Sequence, residues 1–591
     1  MRGRAVGAGI AGGRALSARI VGGRAVVAGI AVALLAGVAL SITHRTTPLV
    51  VARPVAVRAA LHDAQTERVL AGSGWNAIAV NSLDDQLEHV TFFRSGRLID
   101  SVTVDRTLQV QPGVNGRTNA VPYGDWIAYQ PAVLAALCLV FVLMAGVWPW
   151  RRRRNLDVAA CLSFVAPVVL LRHEYIDASV LSALPGLGYL LARCLRTAFG
   201  PPARPAPATA LLDAITPGLE PARRVRWLRG LLIVSALVFA MVAVGSPSAV
   251  DVVYAVMEGA TRLSHGVLPY GHMPPGIVHG DTYPILSYAL YVPLALLSPV
   301  RSTWDSVLLG LAAASLAAFL AAWALYRGSA AARARRGGSH GAHPKRSGSA
   351  GAPPDRGRAR SAESEEAGLR AALAWLAFPP LLITASTGTT DIALAAMLAG
   401  ALLLWRRPAA CSALLTAAGW FKLAPFALLP VCLAPLRGRR LARALVAAAA
   451  VSAAPLALLL ALGGPQGPAH MLHAMSYQVS RGSLQSLWSA LGLGAIQPVA
   501  QAGVLGLIAA AAVRLREQPE LAQDRVRMAA LAAAILLGLQ LAADYWAFLY
   551  LVWFIPLVGL SLLAEPVAGA ERVAAPAPLS GSLQPAPALA A

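Results

Sequence analysis

Residues 227–245 read WLRGLLIVSALVFAMVAVG, an apolar run long enough to cross about 30 Å of hydrocarbon as one helix. Five residues further on comes DVVYAVMEGATRLSHGVLPYGHMPPGIVHGDTYP, residues 251–284, with Asp251, Glu258, Arg262, Asp281 and three histidines in a Pro-rich stretch. The same alternation of apolar runs and polar connections extends along most of the chain. Only a helix satisfies its own backbone groups in lipid, so these runs predict an all-α polytopic membrane protein.

Composition agrees. The 591 residues are 57% hydrophobic and only 13% charged, about half the charged share of a soluble chain. The formal net charge of +22 is carried largely by arginines between the apolar runs. It reads as the bias that keeps basic loops in the cytoplasm, not as a nucleic-acid surface. The five cysteines (Cys138, Cys161, Cys194, Cys411, Cys432) lie in or at the ends of apolar segments, without metal-ligand spacing. No P-loop, no strand-bound GxGxxG and no HExxH is present.

Arginine placement orients the chain. The basic segment 1–24 precedes a first span at 25–42, retained rather than cleaved, so the N-terminus is expected inside. Residues 43–130 form an extracytoplasmic β-rich insert, in which EHVTFFRSGRLIDSVTVD predicts a hairpin turning at Ser95-Gly96. Three spans fill 131–196, with Arg151 to Arg154 inside, and a basic, Pro-rich cytoplasmic linker covers 197–226. The run at 227–245 therefore goes outward and delivers Asp251, with the loop 246–304, to the external face.

Further on, 285–300 is interrupted by Pro293 and Pro299, directly after Pro284, and reads as a juxtamembrane or re-entrant helix, which leaves 305–326 as the crossing. The segment 327–367, rich in Arg, Gly and Ser, is expected to be a disordered cytoplasmic linker. Spans at 369–385, 391–405, 409–421, 425–436, 442–462, 497–513, 528–543 and 546–563 complete about 14 crossings. An outer loop at 463–495 and a disordered, cytoplasmic Ala/Pro tail at 564–591 follow from the same parity.

This topology gathers Asp251, Glu258, His265, His272, His279, Asp281, Asp391, Lys422, His470, His473, Arg481 and Asp544 on the external face. An ionisable group is costly at the bilayer midplane and far less so at the interface. Alone, each also fits a structural part, an aspartate as a helix cap and a lysine as a snorkelling side chain. The seven-residue spacing of the histidines is not a helical stripe, because Gly266, Pro269, Pro274 and Pro275 intervene.

A resemblance to a known family rests on named residues. Asp251 and Tyr254, then Gly266, Pro269 and Tyr270, then Tyr283 and Pro284, resemble the first external loop of GT-C-type glycosyltransferases. The closer resemblance is to glycosyltransferase family 87, whose members are polyprenyl-phosphate-mannose-dependent mannosyltransferases. Asp391 after TASTGTT, the AAGWFKLAP turn with Lys422 and Pro425, and SRGSLQSLWSALG at 480–492 agree with it. The resemblance covers roughly 227–563. GTTD stands where members often have Gly-Gln before the second external span, and YPIL where two prolines often follow the loop tyrosine.

The resemblance implies a GT-C-like core over 227–563 and transfer of a sugar, mannose before others, from a polyprenyl monophosphate to a cell-envelope glycan or lipid. Inversion at the anomeric carbon is expected, since no pair of carboxylates suits a covalent route. Asp251 would be the general base, and Lys422 with Arg481 would hold the donor phosphate. Asp391, Tyr254, Tyr270 and His272 would orient the acceptor or help hold a divalent cation. The implied location is a bacterial plasma membrane with both termini cytoplasmic. A transporter or lipid flippase is the alternative, as is a non-catalytic assembly protein on a transferase scaffold. No internal repeat supports the first, and loss of transfer in Asp251→Asn with unchanged expression would count against the second.

Overall fold

The computed structural model of the protein describes residues 51–563, except 85–86, 95–96, 106, 113–126, 173–174, 201–208, 217, 246–249, 274–276, 278–279, 298–302, 340–354 and 481–485. The first expected span at 25–42 and the Ala/Pro tail lie outside the described residues.

The N-terminal insert contains the expected strands. They are β1 (Ala77–Asp84), β2 (Leu87–Arg94), β3 (Arg97–Asp105) and β4 (Val110–Pro112), antiparallel in that order. Arg94 pairs with Arg97, so the hairpin brackets Ser95-Gly96 as its sequence predicts. Two helices precede the sheet and were not anticipated, α1 (Arg53–His62) and α2 (Ala64–Leu70). Pro54 sits in the first turn of α1, and Asp63 caps α2 by accepting from the Thr66 N–H at 2.9 Å. Strand periodicity sends Val90, Phe92, Val102 and Val104 against Ala56 and Ala60, while Phe93 joins the core of the helical bundle. The module is therefore docked on the bundle by its own pleat.

The bundle begins with α3 (Pro131–Ala145), α4 (Arg153–Leu162), α5 (Val165–Arg172), α6 (Ile176–Phe199), α7 (Leu211–Ile215) and α8 (Pro221–Gly245). Then come α9 (Asp251–Ser264), α10 (Ile285–Ala289), α11 (Val292–Leu297), α12 (Thr303–Ser339), α13 (Asp355–Leu376), α14 (Pro379–Ser386), α15 (Asp391–Leu403) and α16 (Pro408–Phe421). The last are α17 (Leu429–Leu433), α18 (Gly438–Gly463), α19 (Gly467–Ser480), α20 (Leu487–Ala490), α21 (Gln497–Glu517), α22 (Arg525–Ala542) and α23 (Leu551–Ser561). At the centre, α15 packs on α12, α16 and α23, and α22 packs on α6 and α23. The N-terminal helices thus share one core with the rest: Arg527 donates to the Ala198 carbonyl at 3.4 Å, and Arg514 lies over the Phe199 ring.

Seven helical stretches among the described residues are long and apolar enough to cross a membrane, or eight if the bent pair Ser361–Leu376 and Pro379–Ser386 is one span. Five more of the expected fourteen fall on shorter apolar helices: Pro131–Ala145, Asp391–Leu403, Pro408–Phe421, Ala424–Leu433 and Phe548–Ser561. Two of these, α15 and α23, are largely buried in protein, where a helix need not match the lipid thickness. The break at 285–300 is present as α10 and α11, both short.

One expectation is corrected. The linker expected to be disordered over 327–367 is helical on both sides, because α12 runs on to Ser339 and α13 starts at Asp355. Ala and Arg are good helix formers, and their abundance there outweighs the low-complexity composition. The outer loop expected at 463–495 contains the helices α19 and α20. There Met471 and Met475 pack with Leu268, Tyr270 and Tyr288, so burial of one face orders the segment.

Candidate active site

The site grows from the bend between α13 and α14. Pro379 and Pro380 cannot continue the helix of α13, and the chain turns by 55°. The bend aims α14 so that it ends in Thr387-Gly388-Thr389-Thr390, ahead of Asp391. Gly388 has φ +67°, a left-handed conformation that closes the helix end without a Cβ penalty. The hydroxyls of Thr384, Ser386 and Thr387 donate to the carbonyls of Pro380, Ile383 and Thr384 at 2.7–2.8 Å. A run that reads as polar can therefore lie buried.

Asp391, at the first position of α15, is 1% exposed and fully engaged. Lys422 Nζ donates to its Oδ1 at 2.6 Å, and Trp553 Nε1–H donates to the same oxygen at 2.7 Å. Thr389 Oγ1 donates to Oδ2. Lys422 stands at the end of α16 in extended backbone, which turns its side chain off the helix toward Asp391. Its ammonium lies 5.3 Å from the ring centres of both Tyr550 and Trp553, which stack on each other at 4.4 Å. A buried ion pair persists only when both charges are satisfied in this way.

Asp251 occupies the first position of α9 and is exposed. The backbone N–H groups of a first helical turn carry partial positive charge, so the carboxylate stands at the favourable end of the helix dipole. The Val250 N–H meets the Thr387 carbonyl at 3.4 Å, so α9 begins on the turn that carries Asp391. The missing side chain of Gly388 makes room for this approach, because a Cβ there would lie 3.0 Å from Val253 Cγ2.

The loop after α9 is folded around tyrosines. The Tyr288 hydroxyl donates to the Gly280 carbonyl at 2.8 Å, and the Tyr270 hydroxyl donates to the Tyr283 carbonyl at 3.0 Å. Asp281 accepts from the Gly271 N–H at 2.9 Å. Burial pushes the Tyr270 hydroxyl well above its usual titration range, and the Asp281 charge adds to that, so it remains a donor. Ser287 Oγ donates to the Phe421 carbonyl, which fastens α10 beside Lys422.

Asp391 and Lys422 are thus joined directly, and Asp251 reaches them through the 387–390 turn. Tyr254 is half-buried on α9, one turn beyond Asp251. Tyr270 is buried, with its hydroxyl spent on the loop. His272 is exposed, with Nδ1 2.9 Å from the Tyr270 carbonyl, which assigns the proton to Nδ1. Glu258 pairs with Arg262 at 3.1 Å on the surface of α9. His470 and His473 are exposed on α19. Arg481 and His279 lie outside the described residues.

Asp391 does not fit the divalent-cation part. Its oxygens already accept three donors, one of them an ammonium that would repel a second cation. Sequence reasoning missed Thr389, Tyr550 and Trp553. The available signal was YWAFLYLVW at 545–553, where Tyr550 and Trp553 share a helical face at i, i+3.

No curated protein and no solved structure gives a significant match to the chain. The matched family segment starts at Thr282, beyond Asp251 and most of the external loop, and takes in Asp391, Lys422 and Arg481. Residues 282–543 match Glycosyltransferase family 87, and this segment of the chain is assigned to that family.

Proposed function

We propose that the protein is a membrane glycosyltransferase that moves mannose from a polyprenyl monophosphate to a cell-envelope glycan or lipid. The reaction takes place on the external face of a bacterial plasma membrane, with both chain termini in the cytoplasm. The observation that carries this reading is the joining of an exposed helix-terminal carboxylate, Asp251, to a buried Asp391–Lys422 pair through one turn.

In the proposed reaction the acceptor hydroxyl attacks the anomeric carbon and gives its proton to Asp251. The bond between that carbon and the phosphate oxygen breaks, and the electron pair stays on the phosphate. A helix-terminal, water-facing carboxylate is open to an acceptor hydroxyl and suits a general base. Lys422 has three N–H donors, and with one of them on Asp391 the others are left for the phosphate. Because Asp391 neutralises this ammonium, Arg481 supplies the remaining positive charge. Attack from the face opposite the phosphate gives inversion.

The test is incubation of the purified full-length protein with polyprenyl-phosphate-mannose and an envelope glycan acceptor, followed by NMR of the new linkage. A product of inverted anomeric configuration supports the reading. A retained configuration, or no product with any polyprenyl-phosphate hexose, overturns it.

A further inference from the structure

Tyr545, Trp546, Phe548, Tyr550 and Trp553 crowd the segment between α22 and the start of α23. Aromatic residues near a bilayer surface commonly form a belt that faces lipid. These do not, since Trp546, Phe548 and Trp553 are buried and Tyr545 and Tyr550 are half-buried. Trp553 points inward to Asp391, Tyr550 stacks on it at 4.4 Å, and Tyr545 follows at 6.1 Å from Tyr550. The rings form a line that starts at the buried ion pair and runs to half-open positions beside Asp544.

The line is held from behind. Gln540 is 4% exposed and donates to the Tyr550 carbonyl at 3.0 Å, while Trp546 Nε1–H lies 3.3 Å from Gln540 Oε1. The Lys422 ammonium meets the side of the stack, 5.3 Å from each ring centre. Aromatic faces next to a cation and a carboxylate suit a ligand with one apolar face, hydroxyls at its rim and a phosphate close by. A pyranose ring has an apolar face of C–H bonds, and a pyranosyl phosphate meets all of these requirements.

We propose that Tyr545 and Tyr550 form the platform on which a pyranose lies, with Lys422 at its phosphate end and Asp544 at its hydroxyl rim. This rests on the transferase reading above and names the groups that distinguish a sugar-bearing lipid from a bare one. The pyranose is that of the donor, because the phosphate at the Lys422 end belongs to the same molecule.

The measurement is the affinity of the full-length protein in lipid nanodiscs for polyprenyl-phosphate-mannose and for bare polyprenyl phosphate. Wild type is compared with Tyr550→Phe, Tyr550→Ala and Tyr545→Ala. Tyr550→Ala is expected to weaken binding of the sugar-bearing lipid about ten-fold, with the bare lipid phosphate unchanged. Tyr550→Phe keeps the ring and is expected to bind like wild type. If Tyr550→Ala does not fold, the half-exposed Tyr545→Ala carries the same comparison. Unchanged donor binding with an about ten-fold higher KM for a glycan acceptor would put the acceptor on the platform and overturn the proposal. Equal losses for both lipids, or no change in any variant, would overturn the proposal. Absence of transfer and of donor binding in wild type would instead overturn the transferase reading itself.

Discussion

At the scale of the residue, Asp391 and Lys422 are tied together more closely than either is tied to water. Removing one partner leaves the other charge buried alone, so Asp391→Asn and Lys422→Met are each expected to destabilise the protein by about 3–5 kcal/mol. The double variant removes both charges and should recover most of that loss in thermal unfolding, while transfer remains abolished. Equal and additive losses would show that the pair is not coupled. Little of this was legible beforehand. Both residues stood out as charges in apolar surroundings, but their union depends on a 55° bend at Pro379 and on the extended backbone at Lys422, which only the packed bundle fixes. Trp553 was invisible for a related reason, because its indole N–H becomes a site group only after α23 packs on α15.

Elements decide how Asp251 comes to this pair. The close approach of α9 to the 387–390 turn needs Gly388 twice, for its φ of +67° and for the space that Val253 occupies. Gly388→Ala is therefore expected to cost more stability than Gly266→Ala, where φ is +75° but a Cβ meets open space. The backbone part is about 1–2 kcal/mol in both, and the crowding adds to it only at Gly388. Thermal unfolding of the two variants measures the difference. The loop after α9 hangs on Tyr288, so Tyr288→Phe should expose 265–284 to limited proteolysis without unfolding the bundle. Sequence reading did well where one local rule dominates, as in the Ser95-Gly96 hairpin and the Pro-broken segment at 285–300. It failed at 327–339, where helix propensity overrode a composition typical of loops.

For the whole molecule, the account depends on sidedness. Asp251, Lys422 and the insert are expected on one side of the membrane, and the Arg-rich turns on the other. Single cysteines placed at exposed Thr107 in the insert and Ser476 on α19 should react with an impermeant maleimide in intact cells, and one at exposed Arg439 only after permeabilisation. The opposite pattern would invert the topology and place Asp251 in the cytoplasm. The central claim is that Asp251 is the base of a sugar transfer completed by the Asp391–Lys422 pair. Its most direct test is incorporation of radiolabelled mannose from polyprenyl-phosphate-mannose into membrane glycans by wild type and by Asp251→Asn at equal membrane levels. The account predicts label with wild type and a loss of at least about 100-fold in the variant. Equal incorporation by the two folded proteins would contradict it.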